Sequence, residues 1–482
     1  MAQNYKHYFD FQPNPDQLSA FDAIRKFIAD PEMNAFILTG HAGTGKTTLI
    51  KSIVRYLETK EYEYKLLAST GRAAKVLADK VKKECSTVHG LIYTFKDLDK
   101  DLDKVNEKVQ YEGYTHDSGV QLLFDLKPKE ISDQTTIYIV DEASMIGDSI
   151  DKFSSFAQYG SGRLLSDFIH YDPLGKFIFV GDPMQLPPIN ERESPALSRK
   201  YLEDIHDLNV QSAHLKSILR QDPQNDIIKA AEQLKLQYSG SAYGGKWTYF
   251  HFSNYYNINI YSDDTDMLAD YFQHVIAEEY EKAKLICQSN KICFALNTLF
   301  RDAMKRPKKK VCEGDLMLIT QNNLTVKLMN GDIVKIIDIG RKEQRADLTF
   351  VDVSVVNIIS QEIHDLKLIE SIPFSGMTNI SRKEHTALFI DFNIRMRRIG
   401  VKQKSDQYND LMKKDPYLNA LRAVFAYATT CHKSQGGEWD DVFIYLNNSI
   451  QSIPRPGVYK WMYTAVTRAR KRVHISENWY IK

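Results

Sequence analysis

Short apolar runs alternate with helical patterns along the first third of the chain. A helical pattern over Lys46–Leu57 follows the first run, and an Ala/Lys/Val/Leu pattern that reaches Val81 follows the second. The apolar runs have the length of buried strands and are Ala35–Gly40, Lys65–Thr70, Ile137–Asp141 and Lys176–Gly181. Because alternating strands and helices build a parallel sheet covered on both faces, the pattern predicts an α/β fold.

A second α/β unit is predicted after about Tyr201. Its strand–turn–helix start and its end consist of Leu285–Gln288, Asn290–Met304, Val442–Leu446, a helix around Tyr459–Arg470, and Val473–Ser476. Between them, residues 334–339 and 348–356 alternate with a period of two, which indicates a small antiparallel β insertion. Residues 91–133 are charged and have no strong apolar face, so we interpret them as an insertion in the first unit.

The total charge of +1 excludes a uniformly basic nucleic-acid-binding protein. Residues 381–482, however, carry 18 basic and 9 acidic residues, and the basic cluster at 395–404 reads either as a solvated loop or as a phosphate-binding surface. The sequence contains no run of 18 apolar residues, so it predicts no membrane-spanning helix. Five irregularly spaced cysteines favour a reduced, intracellular chain, and we expect a cytoplasmic location.

The segment Gly40–Thr47 (GHAGTGKT) matches the phosphate-binding pattern G-x-x-x-x-G-K-[ST] directly after a strand and at the start of a helix. Its glycines let backbone N–H groups and the helix N-terminus point at phosphates. Lys46 is expected to hold the β- and γ-phosphates and Thr47 to coordinate Mg²⁺. The sequence therefore predicts ATP and Mg²⁺ as cofactors, with nucleotide contacts at Gly43, Thr44, Gly45, Lys46, Thr47 and Thr48.

Two later apolar strands end in polar side chains that can complete this site. The strand Ile137–Asp141 delivers Asp141 to its carboxyl end, where it can hold Mg²⁺, and Glu142 can activate the attacking water. The strand Lys176–Gly181 leads into Asp182 and Gln185, and an uncharged glutamine there can sense the γ-phosphate. Ligands bind at such carboxyl ends in open α/β sheets.

Five further motifs occur in a fixed order along the chain. They are Ser69–Ala74 (STGRAA), Thr87–His89 (TVH), Leu219–Gln221 (LRQ), Thr430–Glu438 (TCHKSQGGE) and Tyr463–Arg470 (YTAVTRAR). They resemble motifs Ia, Ib, IV, V and VI of the superfamily 1B DNA helicases of the RecD-like and Dda-like type. The resemblance spans nearly the whole chain.

This resemblance implies an α/β fold with two RecA-like P-loop motor domains. Residues 1–90 and 134–205 correspond to domain 1A, and residues 91–133 to a small wedge insertion, 1B. Residues 206–311 and 426–482 correspond to domain 2A, and residues 312–425 to an SH3-like β insertion, 2B.

The resemblance also assigns individual residues. The implied catalytic residues are Lys46, Glu142, Gln185, Arg220 and Arg468. The nucleotide-binding residues gain Gln17, which would read adenine, together with Gln185, Gly437 and Arg468. The implied contacts with DNA are Thr70, Thr87, His89, His432, Ser434 and Gln435.

The implied activity is that of an ATP-dependent 5′-to-3′ DNA helicase, a monomeric motor that acts on single-stranded DNA and on its junctions with duplex DNA. Its 5′-to-3′ polarity rests on the resemblance alone, and such enzymes serve DNA repair, recombination and replication. One alternative is a translocase that remodels nucleic-acid complexes with little unwinding. Another is a P-loop ATPase switch that regulates a partner, which motifs V and VI disfavour.

Overall fold

The computed structural model describes residues 5–150, 156–217, 225–240, 248–323, 325–326 and 328–482. Numbered in chain order, the strands are β1 (Ala35–Gly40), β2 (Tyr64–Ala68), β3 (Ser86–Thr87), β4 (Tyr93–Leu98), β5 (Leu122–Leu126), β6 (Ile137–Asp141), β7 (Ala157–Tyr159), β8 (Lys176–Gly181), β9 (Val210–Leu215), β10 (Ile258–Tyr261), β11 (Ala283–Cys287), β12 (Leu316–Ile319), β13 (Ile333–Arg345), β14 (Leu348–Asn357), β15 (Ile363–Ile369), β16 (Ala423–Phe425), β17 (Ala428–Thr430), β18 (Trp439–Ile444) and β19 (Ala469–Ser476).

The α-helices connect these strands. They are α1 (Pro15–Ala29), α2 (Lys46–Thr59), α3 (Gly71–Val81), α4 (Val88–Ile92), α5 (Leu102–Glu112), α6 (Leu164–Tyr171), α7 (Arg199–His206), α8 (Ile227–Gly240), α9 (Asp264–Ile276), α10 (Asn290–Ala303), α11 (Ile372–Ser375), α12 (Arg382–Arg398), α13 (Asp406–Lys414), α14 (Cys431–Ser434) and α15 (Gly457–Val466). Within the described ranges, no helix is long and apolar enough to cross a membrane.

The first unit is a parallel six-stranded sheet with the order β3-β2-β6-β8-β1-β9. In β1, Phe36 and Leu38 pack into one hydrophobic core and Ala35 and Ile37 into another, so both faces are covered as the apolar run predicts. Strand β2 ends at Ala68, two residues earlier than expected, because Thr70 already caps helix α3. Strand β9 pairs with β1, which corrects the predicted limit of the first unit at residue 205.

The second unit is a parallel five-stranded sheet with the order β10-β19-β18-β11-β17. Its strands confirm the predicted apolar runs to within a few residues. The expected helix over Tyr459–Arg470 is shorter, because α15 ends at Val466 and β19 begins at Ala469. Arg468 therefore lies in the turn between this helix and this strand, not on a helical face. Together the two parallel sheets confirm the predicted α/β class.

The predicted β insertion forms an antiparallel sheet with the order β15-β14-β13-β12-β16. The two period-two segments become the long strands β13 and β14, which confirms that part of the prediction. The same stretch of chain also contains α11, α12 and α13. The assignment of residues 312–425 as an SH3-like domain stays a prediction.

The insertion predicted over residues 91–133 contributes β4, α5 and β5. Its small sheet has the order β4-β5-β7, so it takes a strand from residues 157–159, outside the predicted limits. Leu102 and Val105 of α5 share a hydrophobic core with Phe389 and Phe392 of α12. The two insertions are therefore packed against each other.

Candidate active site

The phosphate-binding segment forms a tight loop between β1 and α2. Gly43 and Gly45 have φ angles of 80° and 81°, a left-handed conformation that costs a glycine little. Gly45 precedes the first helical residue, so the free N–H groups of α2 face the loop. Lys46 Nζ donates to Gly40 O (2.6 Å) and to His41 O (3.1 Å), which holds the ammonium group inside the loop. The loop thus has the concave, amide-lined form that binds phosphate.

Two neighbouring carboxyl groups lie at the end of β6. Thr47 Oγ1 lies 3.5 Å from Asp141 Oδ2, and the N–H of Glu142 donates to Asp141 Oδ1 (2.9 Å). Burial raises the pKa of Asp141, and burial together with the charge of Asp141 raises the pKa of Glu142. A hydroxyl and a carboxylate are hard oxygen donors, so Thr47 and Asp141 fit Mg²⁺, and a cation there would relieve the repulsion between the two carboxylates.

Glu142 adopts a left-handed backbone conformation with a φ angle of 52°. Such a conformation is uncommon for a residue with a side chain and is typical of functional sites. It follows a strand that is buried at every position and turns the chain sharply at the sheet edge. Glu142 is thereby placed beside Asp141 and opposite Gln185.

Gln185 joins the two halves of the site. With its amide nitrogen facing Glu142, Gln185 Nε2 donates to Glu142 Oε2 (3.0 Å) and Gln185 Oε1 accepts from Arg468 Nη2 (2.9 Å). Arg468 comes from the turn between α15 and β19 of the second unit, is 3% exposed and also donates through Nε to Thr464 O (3.1 Å). The structure thus brings together Lys46, Glu142, Gln185 and Arg468. Arg220, the remaining predicted catalytic residue, lies outside the described residues.

Gln17 lies at the side of the same cleft. It is fully buried and forms a capping box with Asn14 at the start of α1. Gln17 Oε1 accepts from the N–H of Asn14 (3.2 Å), while Gln17 Nε2 has no hydrogen-bond partner among the described residues. A buried amide donor without a partner is costly, so this group fits a base that offers a nitrogen acceptor, as adenine does.

A cleft of about 830 Å³ lies between the two parallel sheets and is lined by Gln17, the phosphate loop, Glu142, Gly437 and Arg468. A Cβ atom on Gly437 would lie 2.6 Å from the Trp439 ring and 2.8 Å from the Arg72 guanidinium. The guanidinium of Arg72 lies 4.6 Å from the centroid of that ring. Only glycine fits at Gly437, and the cleft has the size of a nucleotide site.

The predicted DNA contacts differ in their exposure. Thr70 and Thr87 cap helices α3 and α4, with each hydroxyl accepting from a backbone N–H, and both side chains are half-buried. His89 and His432 are also half-buried, and burial lowers the pKa of both.

Two of the six are placed differently. Ser434 is fully buried with its hydroxyl donating to Cys431 O (2.7 Å), and Gln435 is buried and donates to Leu186 O (3.2 Å). These two side chains are enclosed by protein in this structure, and their contact with DNA stays a prediction.

The sequence did not single out several residues that shape this site. Arg72, Trp439, His41 and Tyr463 all line the nucleotide cleft or the phosphate loop. Arg72, His41 and Tyr463 lie inside motifs that the sequence does show, and that position was the available signal. Their contacts cross between the two sheets, so no spacing in the sequence could reveal their partners.

Known protein families match the chain in two segments. A family model described as an AAA domain matches residues 12–243, and one described as the UvrD-like helicase C-terminal domain matches residues 425–476. The first model covers the phosphate loop and the acidic strand end. The second covers the segment that carries Arg468.

Similar proteins extend along most of the chain. The ATP-dependent DNA helicase dda of Enterobacteria phage T4 is 24% identical over 488 residues, covering 94% of this chain and 97% of the relative. The RecBCD enzyme subunit RecD of Buchnera aphidicola is 24% identical, covering 92% of this chain and 70% of the relative. An uncharacterized protein of Acanthamoeba polyphaga mimivirus is 21% identical, covering 95% and 99%.

Among solved structures, the Pif1 helicase from Bacteroides in complex with ADP-AlF3 and ssDNA aligns with a TM-score of 0.48 at 16% identity, covering 98% of this chain and 94% of that one. The order of the motifs, the two family models and the full-length similarity to phage and bacterial proteins agree with one another. On these grounds the chain is similar along nearly its whole length to superfamily 1B helicases of the RecD-like and Dda-like type.

Proposed function

We propose that the protein is an ATP-dependent DNA helicase that moves 5′ to 3′ along single-stranded DNA and separates duplex ahead of it. The observation that carries the proposal is the contact of Arg468 with Gln185 and, through it, with Glu142. The arginine belongs to the second α/β unit, and Gln185 and Glu142 belong to the first. Hydrolysis then depends on how closely the two units approach, which is the requirement for a motor.

The chain's own groups divide the work of hydrolysis. Lys46 holds the terminal phosphates, and Thr47 and Asp141 would hold Mg²⁺, whose positive charge offsets the charge of the phosphates. Glu142 accepts a proton from the attacking water, and the raised pKa of this carboxyl makes it a stronger base. Arg468 neutralises charge on the phosphoryl group during transfer, an effect worth on the order of 10³–10⁵ in rate.

The DNA track is proposed to run across both units. Thr70 and Thr87 lie at the N-termini of α3 and α4, where hydroxyl and N–H groups suit phosphates of any sequence. His432 lies on α14 of the second unit. A strand held at these points on both units moves relative to one of them each time the cleft opens or closes.

The relatives named above include DNA helicases, which supports DNA as the substrate and the 5′-to-3′ direction as a family property. The alternative, a P-loop ATPase switch that regulates a partner, does not require an arginine of the second unit to contact Gln185 across the cleft. The proposed substrate is therefore single-stranded DNA with a duplex junction. No protein partner is proposed.

The proposal is tested by unwinding of 5′-tailed, 3′-tailed and RNA-tailed duplexes, measured together with DNA-stimulated ATP hydrolysis. Only the 5′-tailed DNA should be unwound. Arg468→Ala should lower turnover by on the order of 10³-fold with little change in nucleotide affinity. Arg472→Ala is the matched control, because Arg472 is half exposed and pairs with Asp441 away from the cleft. Equal loss in both variants, or unwinding of 3′-tailed DNA alone, would contradict the proposal.

A further inference from the structure

Four side chains form a hydrogen-bonded chain between the two units, next to the nucleotide cleft. Lys235 Nζ lies 2.9 Å from His41 Nε2, and His41 Nδ1 lies 3.3 Å from Asp182 Oδ1. Tyr463 Oη donates to Asp182 Oδ2 (2.6 Å) and lies 3.2 Å from His41 Nδ1. We call these four residues the interdomain clasp. Two of them come from each unit.

Lys235 determines which atoms of the clasp donate and which accept hydrogen bonds. The ammonium group of Lys235 can only donate, so His41 Nε2 accepts and His41 Nδ1 carries the proton. That proton points at Asp182, and the hydroxyl of Tyr463 donates to the other carboxylate oxygen. Every donor meets an acceptor, so the arrangement is consistent with a single protonation state.

Asp182 is the centre of the clasp and is fully buried. Burial by itself would raise the pKa of Asp182, but the hydrogen bond from His41 and the charge of Lys46 outweigh it and lower that pKa. The N–H of Met184 also donates to Asp182 Oδ1 (2.9 Å). Hydrogen bonds to a buried carboxylate are charge-assisted and stronger than neutral ones. Tyr463 is therefore held firmly.

The clasp lies close in the chain to Arg468, the residue proposed to act in hydrolysis. His41 belongs to the phosphate loop and Asp182 follows β8, whereas Lys235 lies on α8 and Tyr463 on α15. Arg468 follows Tyr463 by five residues, just beyond the end of α15. Thr464, which directly follows Tyr463, accepts through its hydroxyl from the N–H of Leu186 (2.9 Å). The helix end that presents Arg468 is thus anchored to the opposite unit immediately before the arginine.

The same loop contacts both the phosphate-binding lysine and the clasp. Lys46 Nζ donates to His41 O, while the ring of His41 contacts Asp182 and Tyr463. A change in the position of Lys46 would therefore move His41 and, through it, Tyr463 on α15. This links the loop that grips phosphate with the helix that presents the arginine.

We propose that Tyr463, held by Asp182 and His41, is a positioning residue that sets Arg468 in the nucleotide cleft. The inference rests on the proposed role of Arg468 in hydrolysis and adds the group that places it. Tyr463 itself touches neither Gln185 nor Glu142 among the described contacts. The proposed route of its effect is the position of Arg468, as distinct from a direct effect on Lys46 through His41.

The test begins with Tyr463→Phe, which removes the hydroxyl and keeps the ring. DNA-stimulated turnover should fall by about 10- to 100-fold, the value of one charge-assisted hydrogen bond, while ADP affinity stays within about twofold. Affinity for ADP with aluminium fluoride, which mimics the transferring phosphoryl group, should fall in step with turnover. The matched control is Tyr459→Phe on the same helix, because Tyr459 Oη accepts from Arg455 within one unit.

A double-mutant cycle separates the inference from the proposed function. In an Arg468→Ala background, Tyr463→Phe should cause little further loss, because the clasp acts through the arginine. Multiplicative loss would overturn the positioning role and leave the helicase proposal intact. Native turnover in Arg468→Ala alone would instead refute the proposed function.

A second pair of variants covers the case in which Tyr463→Phe does not fold. His41→Ala removes the clasp from the side of the phosphate loop and should reproduce the loss of turnover. His41→Asn should restore most of it, because its amide nitrogen can occupy the place of Nδ1 and donate to Asp182. Equal turnover in the two His41 variants would contradict the inference.

Discussion

Replacing Lys284 with methionine should make stability depend less on pH. Lys284 lies on β11, is 1% exposed and donates only to Ala426 O (2.6 Å), with no carboxylate in salt-bridge distance among the described residues. Burial lowers the pKa of Lys284 from 10.5 to about 7. The difference corresponds to roughly 5 kcal/mol that folding loses when the unfolded lysine is protonated.

The sign of the effect follows from proton uptake. Between pH 7 and 10.5 the unfolded chain binds a proton at Lys284 that the folded chain does not, so stability rises with pH by up to about 1.4 kcal/mol per pH unit. The penalty is fully present below about pH 7 and is lost as the pH approaches 10.5. Methionine removes this penalty but leaves the carbonyl of Ala426 unpaired, at a cost of about 1–3 kcal/mol.

The expected result is a variant that is more stable than the native protein by roughly 2–4 kcal/mol at pH 7, with the gain shrinking steadily towards pH 9.5. Urea unfolding at four pH values between 7 and 9.5 measures the difference. Lys282→Met is the control, because the hydrogen bond with Glu279 raises the pKa of Lys282, so its removal should bring no gain at pH 7. Parallel pH profiles for the native protein and Lys284→Met would refute the reasoning.

Four further outcomes are expected. Gln17→Ala should reduce the preference for ATP over GTP, measured as the ratio of their KM values, because the unpaired amide that faces the base is lost. Glu142→Gln should lower turnover by about 10²–10⁴-fold in a single-turnover assay while ATP still binds, because the amide cannot accept the proton. Gly437→Ala should raise KM for ATP, since the added methyl group would meet Trp439 at 2.6 Å. Phe389→Ala should destabilise the core shared by the two insertions by about 3–5 kcal/mol, seen as a lower midpoint of thermal unfolding.

The features that the sequence predicted well are those fixed by local rules. The phosphate loop requires glycine at two left-handed positions, and buried parallel strands require continuous apolar runs, so both could be identified from neighbouring residues. The grouping of Lys46, Thr47, Asp141 and Glu142 in one cleft follows from strand ends that meet at one edge of a sheet.

Features that depend on distant pairing were missed. Strand β9 joins the first sheet although it follows the predicted limit of that unit, because a strand's partner is set by tertiary packing. The strand β7 joins the small insertion in the same way. The clasp could not be predicted, since its four residues lie in four separate segments and only the fold brings them within hydrogen-bond distance.

Two arginines of the basic cluster in residues 395–404 form ion pairs within the protein. Arg395 pairs with both Asp391 and Asp415, and Arg397 pairs with Asp103 of the other insertion. The pair of Arg395 with Asp415 is largely buried and holds Arg395 in the fold, whereas the pair of Arg397 with Asp103 is exposed and contributes at most about 1 kcal/mol. Arg397 therefore links α12 to α5, and a phosphate-binding role of the cluster stays a prediction. Part of the excess positive charge of the C-terminal fifth thus has a described partner within the protein: Arg468 contacts Gln185, and Arg397 bridges the two insertions.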